Sequence, residues 1–190
     1  MTIYLNFNFI VIINMKIAIT GKMCSGKSTL AQKIVERDGR YKIFSFGKKV
    51  KEVAQDLFDM KEKDRSLLVS LGTKMREINP DVWTNYILKQ TEGVNHCIID
   101  DLRYQNEYEA LSKAGFHIIQ LIIDETNQKE RIIQNYPNNY QDHLKNCTHS
   151  SEKNTFEWLP QDDPIKIDAH KNDTDKIIEI INNHYQGQLF

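Results

Sequence analysis

The sequence predicts an α/β fold, three layers deep (α/β/α), with a five-stranded parallel sheet between two layers of helices. Two observations carry that reading. Apolar, β-branched runs of strand length alternate with stretches of helical periodicity, and such alternation implies a parallel sheet covered on both faces. The first strand-to-helix junction holds Gly21-Lys22-Met23-Cys24-Ser25-Gly26-Lys27-Ser28-Thr29, which fits G-x-x-x-x-G-K-[ST]. That pattern is the phosphate-binding loop of P-loop NTPases, and it sits where such a loop belongs, after a strand and before a helix.

The strand is Lys16-Ile17-Ala18-Ile19-Thr20, and the helix runs to Arg37 with Leu30, Ile34 and Val35 on one face. Asp38-Gly39 ends it as a turn. Residues 41–46 read as the second strand. Past Gly47, helices are expected to Phe58 (apolar face Val50, Val53, Ala54, Leu57, Phe58), over residues 63–78 (Leu67, Leu68, Leu71, Met75) and over residues 82–90. Pro80 breaks the second of these, and Asp81 caps the third. A plain crossover needs far fewer residues, so residues 46–92 read as a helical insertion beside the nucleotide site; in nucleotide kinases such an insertion is substrate-binding and holds the phosphate acceptor.

Residues 96–101 form the third strand, an apolar run ending in Asp100-Asp101; a helix through Leu111 and Ala114 follows, closed by Gly115. Residues 116–124 are the fourth strand and residues 125–134 a charged helix. Residues 135–148 read as a mobile polar loop containing Pro137, and 125–148 together as a lid-like segment. Ser150-Ser151-Glu152 starts a short helix with Phe156 and Trp158, Pro164 to Asp168 is the fifth strand, and Asn172 or Asp173 caps a terminal helix.

The loop chemistry explains its residue types. Glycines allow a curl that turns successive backbone N–H groups toward phosphate oxygens. The expected ATP contacts are Gly21, Lys22, Cys24, Ser25, Gly26, Lys27, Ser28 and Thr29. Lys27 meets the β- and γ-phosphates, the Ser28 hydroxyl holds Mg²⁺, and the helix adds its positive end. Asp100, delivered by a strand end, has the Walker B shape and is the second expected Mg²⁺ ligand.

Composition narrows the classes. At 190 residues and 40% apolar, the chain suits one domain with a substantial core, residues 15–190. A net charge of -1 argues against a nucleic-acid polymer as partner. Three cysteines without metal spacing suit a reduced, cytoplasmic setting. Residues 1–14 are apolar but broken by asparagines, with no basic start and too short a run to span a bilayer, so no membrane role is expected. They read as an N-terminal extension outside the core, with an added edge strand as the rival reading.

Three stretches together resemble the deoxynucleoside monophosphate kinases of phages and large DNA viruses, in the nucleoside monophosphate kinase group. They are Gly21 to Thr29; Phe46-Gly47-Lys48-Lys49-Val50-Lys51 with Leu71-Gly72-Thr73-Lys74-Met75-Arg76 and Pro80-Asp81-Val82-Trp83; and Ile99-Asp100-Asp101-Leu102-Arg103-Tyr104-Gln105-Asn106-Glu107. The resemblance implies transfer of the ATP γ-phosphoryl group to a deoxynucleoside 5′-monophosphate with Mg²⁺, in a host cytoplasm if the source is viral, and leaves a homodimer open. It places Lys48 and Arg76 on the acceptor phosphate and Trp83 against the acceptor base. Arg103 reaches the acceptor or the transferring group. Asp101 and Glu107 read base or sugar, or Asp101 shares the Mg²⁺ with Asp100. Arg131 lies where related kinases carry a lid arginine. Lys27, Arg76, Arg103 and Arg131 are thus the expected catalytic set. Other small-molecule P-loop kinases, acting on phosphomevalonate or dephospho-coenzyme A, and a nucleotide-dependent switch are the competing readings. No Asn-Lys-x-Asp guanine motif supports the switch.

Overall fold

The computed structural model describes residues 15–147, 156–159 and 164–186. The expectations on residues 1–14 and on a helix start at Ser150 lie outside the described residues. The elements run β1 (Lys16–Gly21), α1 (Lys27–Arg37), β2 (Lys42–Phe44), α2 (Phe46–Phe58), α3 (Arg65–Ile78), α4 (Val82–Thr91), β3 (Cys97–Leu102), α5 (Gln105–Lys113), β4 (Phe116–Ile122), α6 (Glu125–Asn135), α7 (Tyr140–Asn146), β5 (Ile165–Asp168) and α8 (Thr174–Gln186). All five strands are parallel, in the order β2-β3-β1-β4-β5.

Strand pleating divides the core. Ile17 and Ile19 of β1, Ile98 of β3, and Ile119 and Leu121 of β4 face α1 and α8, packing with Leu30, Ile34, Ile178 and Ile181. Their neighbours Ala18, Cys97, Ile99 and Ile118 face the other way, onto Phe46, Val50, Trp83, Ile87, Tyr108 and Leu111. Burial on both faces is why these strands read as continuous apolar runs rather than alternating ones.

This order also places the site. The connection from β1 runs outward to β2, whereas that from β3 crosses back to β4. The carboxyl ends of β1 and β3 therefore flank a topological switch point, where open α/β sheets leave a crevice.

Three local expectations need correction. Helix α2 begins at Phe46, because Ser45 caps it by accepting from the Lys48 N–H, so Gly47 lies in the first turn. The described part of the 135–148 stretch, residues 135–147, is not an irregular loop: α7 occupies 140–146, and its buried His143 is stacked on Tyr136 at 3.9 Å. Phe156 and Trp158 are not helical. They instead edge onto the buried Tyr108 ring at 5.6 and 5.0 Å, while the Tyr108 hydroxyl accepts the Leu159 N–H at 2.7 Å.

Candidate active site

The loop between β1 and α1 is strained where the motif requires it. Gly21 has φ 146°, and a Cβ there would meet the Leu121 carbonyl oxygen at 2.5 Å and Ser25 Oγ at 2.7 Å. Gly26, at φ 96°, is the N-cap of α1 and gives it no side-chain cap. No acidic residue lies in the first turn either, so the positive end of α1 is left for an anion from outside the helix. Lys27 is buried and folds across the loop, donating to the carbonyls of Gly21 at 2.7 Å and Lys22 at 2.8 Å.

Ser28 and Asp100 come together across the switch point, Oγ donating to Oδ2 at 2.7 Å. Burial, then the neighbouring charge of Asp101, pushes the Asp100 carboxyl up, against the Ser28 hydrogen bond and Lys27. This donor set fits Mg²⁺: it is all oxygen, and a divalent cation would relieve the half-buried carboxylate. Among the described residues no group of three His, Cys, Asp or Glu gathers into a metal site. The remaining ligands of a Mg²⁺ ion would be phosphate oxygens and water.

A cleft of about 430 Å³ opens over this loop. Its rim carries Lys27, Ser28, Asp100 and Arg131, with Asn135 and Tyr136 from the end of α6 and its cap. Arg131 bridges two pieces of main chain, donating to the Cys24 carbonyl at 3.2 Å and the Ala169 carbonyl at 2.8 Å. It thereby ties α6 to both the phosphate loop and the segment after β5. Cys24 itself sits at φ 61° and forms no disulfide.

A second cavity, about 250 Å³, lies between α2, α3 and the start of α5. Its apolar walls are Phe46, Val50, Leu68 and Val69. Arg76 lies on its lining, clamped from three sides: Nη2 donates to Glu107 at 2.9 Å, Nη1 to the Gly72 carbonyl at 3.3 Å, and the guanidinium lies 4.1 Å over the Tyr104 ring. Glu107 is 1% exposed. Its second oxygen accepts from the N–H groups of Arg103 and Tyr104 at 3.1 and 3.2 Å. Burial raises the pKa of Glu107, against Arg76, which pulls it down.

Lys63, Arg65, Asp101 and Arg103 line both the cleft and the cavity. Asp101 spends its carboxylate on the start of α2, accepting from Ser45 Oγ at 2.7 Å and from the N–H groups of Phe46 at 2.9 Å and Gly47 at 2.8 Å. The three cations crowd: partial burial, then Arg65, Lys51 and Arg103, lowers the pKa of Lys63.

Two expected acceptor residues are elsewhere. Lys48 is exposed at the first turn of α2 and lines neither space. Trp83 is 4% exposed, packed in the core under α3 with its indole N–H on the Gly72 carbonyl at 3.2 Å, so its ring presents no free face to a base. Lys63 and Arg65, which no sequence motif singled out, line both spaces instead. The available signal was Asp64, which caps α3 by accepting the Leu67 N–H at 2.9 Å and so fixes which residues flank the helix start.

Residues 17–157 match the family described as AAA domain. The chain belongs to the AAA domain family. No curated protein matches this AAA-domain chain. Among solved structures it is similar to a sugar kinase from Janibacter sp. HTCC2649, at 16% identity over 88% of this chain and 92% of that one, with a TM-score of 0.57. It is similar also to a gluconokinase from Sinorhizobium meliloti 1021 (14% identity, 93% and 98% covered, TM-score 0.55). A shikimate kinase from Aquifex aeolicus gives 16% identity, 92% and 98% covered, and a TM-score of 0.52. At these identities the likeness is one of fold: a five-stranded parallel sheet with helices on both faces, as in P-loop NTPases. No helix among the described residues of this AAA-domain protein is long and apolar enough to cross a membrane.

Proposed function

We propose that the protein is an ATP-dependent phosphotransferase that moves the γ-phosphoryl group of ATP to a deoxynucleoside 5′-monophosphate, giving the diphosphate and ADP. The observation that carries this reading is the shared border. A cleft built for a polyphosphate opens, through Lys63, Arg65 and Arg103, onto a second cavity able to hold an acceptor. Phosphoryl transfer asks for placement of two substrates end to end and for positive charge between them, and little covalent chemistry from the protein.

The residues divide the work as follows. The N–H groups at the start of α1 and the Lys27 ammonium bind the donor phosphates, the ammonium exchanging two loop carbonyls for phosphate oxygens. Ser28 and Asp100 would hold Mg²⁺, which supplies charge neutralisation on the β- and γ-phosphates. Lys63, Arg65 and Arg103 border the place where the transferring group passes. Arg76 is an acceptor-side cation whose position Glu107 sets before substrate arrives. Arg131 keeps α6 against the phosphate loop. Helices α6 and α7 act as the lid that keeps water from the γ-phosphate.

The cavity also speaks to the acceptor class. A polyol needs several carboxylate or amide partners for its hydroxyls, whereas these walls are Phe46, Val50, Leu68 and Val69, and the Asp101 carboxylate is already engaged. Flat apolar walls beside fixed cations suit a planar base carrying a phosphate. The test is a panel of acceptors: the four deoxynucleoside monophosphates, their ribose partners, mevalonate phosphate, gluconate and shikimate. The reading expects ADP release with at least one nucleoside monophosphate. Turnover only with a non-nucleotide acceptor would replace the substrate class.

A further inference from the structure

One contact at the border is not explained by substrate binding. Arg65 Nη1 lies 2.9 Å from Nδ1 of His143, which comes from α7, far away in the chain. Arginine has only donors, so the Nδ1 lone pair must accept, and the ring is the neutral tautomer with its proton on Nε2. His143 is 5% exposed and is held flat by Tyr136, stacked at 3.9 Å and 23°. Arg65 Nη1 also lies 3.5 Å from Met23 Sδ of the phosphate loop. One guanidinium that lines both substrate spaces is thus gripped by the lid helix and touches the loop.

We propose that His143 is a positioning residue, whose neutral Nδ1 holds the Arg65 guanidinium at the border between the two substrates when the lid is closed. The inference rests on the phosphotransferase reading above. It makes lid closure and the placement of a border cation the same event, because α7 brings the acceptor atom.

A pH dependence follows. The charged groups facing His143 are Arg65 at the start of α3, Lys63 and Asp64 just before it, and Asp142 and Lys145 on α7 itself; Tyr136 supplies the stacking ring. Burial, then Arg65 and Lys63, pushes the imidazole below its ordinary 6.5, against Asp142. Above that lowered value the ring is neutral and accepts. As pH falls through it, the ring gains a proton on Nδ1, the bond is lost and two cations oppose each other.

The test uses the full chain and compares wild type, His143→Gln and His143→Phe from pH 5 to 8. Gln offers an acceptor oxygen and does not titrate, so it should keep kcat at pH 8 within about threefold and flatten the acid limb below 6.5. Phe keeps the stack on Tyr136 but offers no acceptor. It should lower kcat by roughly tenfold or more at pH 8, the effect of losing a hydrogen bond to a charged group, with the KM for ATP unchanged and the gap to wild type closing as pH falls. A wild-type kcat for His143→Phe, or an unchanged acid limb for His143→Gln, overturns the proposal. In parallel, NMR titration of His143 in Arg65→Ala should show its pKa rising toward 6.5. If wild type phosphorylates no monophosphate, the functional reading falls, and the titration alone decides here: a His143 pKa that ignores Arg65 overturns the inference, and a rise supports it.

Discussion

The cleft over the phosphate loop and the cavity beside it are made in different ways. The cleft is mostly main chain: one continuous run of residues curls around a helix start without a side-chain cap, and its lysine rests on the loop's own carbonyls. The cavity is mostly side chain. Its parts come from α2, α3 and the turn into α5, joined by one buried ion pair and a stacked ring. The first kind of site needs a backbone conformation, which a short motif encodes. The second needs tertiary packing, which no short motif contains. The two should therefore break differently, the cleft through chemistry and backbone strain, the cavity through stability and acceptor binding together.

The largest effect is expected from Lys27→Ala. The transferring charge loses a preorganised cation, so turnover should drop about 10²–10³-fold, with circular dichroism and Tm close to wild type. Near-normal turnover would remove the cleft from the donor role.

Arg76→Ala should strike the cavity on two counts. It leaves Glu107 buried without its cation, a loss on the order of 3 kcal/mol by urea denaturation, and it should raise the acceptor KM without changing that for ATP. The pH response has a definite sign. Burial already sets the folded pKa of Glu107 above its ordinary 4.5, so the stability its protonated form adds is present below 4.5 and lost as pH rises through the folded value. Removing Arg76 removes the main opposing influence and moves that loss to higher pH. A stability profile that does not shift would show that the pair is not coupled in solution.

Gly21→Ala tests the backbone basis of the cleft. It forces a side chain to φ 146° and into the Leu121 carbonyl, costing about 1–3 kcal/mol. Thermal denaturation should show it, and nucleotide should recover little of the loss because the loop itself is displaced.

The smallest effects separate the cavity from its surroundings. Trp83→Phe should cost about 1 kcal/mol for the lost indole hydrogen bond, and Lys48→Ala less than about 0.5 kcal/mol. Neither should change the acceptor KM. A several-fold rise in that KM for either variant would return it to the binding surface.

The same contrast accounts for what the sequence disclosed. The order of strands and helices was legible because a doubly covered parallel sheet writes long apolar runs, and Ile17, Ile98 and Ile119 lie on those runs. The pairing of Ser28 with Asp100 was legible because both positions follow from the topology of a loop after one strand and an acid at the end of its neighbour. Arg76 and Glu107 could be named but not paired, since thirty-one positions separate them and only packing joins them. Lys48 and Trp83 were misplaced for a related reason: helical periodicity gives a face, not what the face meets. Helix α7 was hidden because its residues are polar and follow Pro137, and its stability comes from His143 against Tyr136 and Arg65 rather than from an apolar stripe.

On the proposed function, the two spaces hold donor and acceptor across one border of cations. Product counting tests it most directly: wild-type protein with ATP and Mg²⁺, with and without a deoxynucleoside monophosphate, and ADP and diphosphate quantified together. ADP should form one for one with the diphosphate, and only slowly when the monophosphate is left out. Equal ADP release with and without every monophosphate, and no diphosphate, would contradict it.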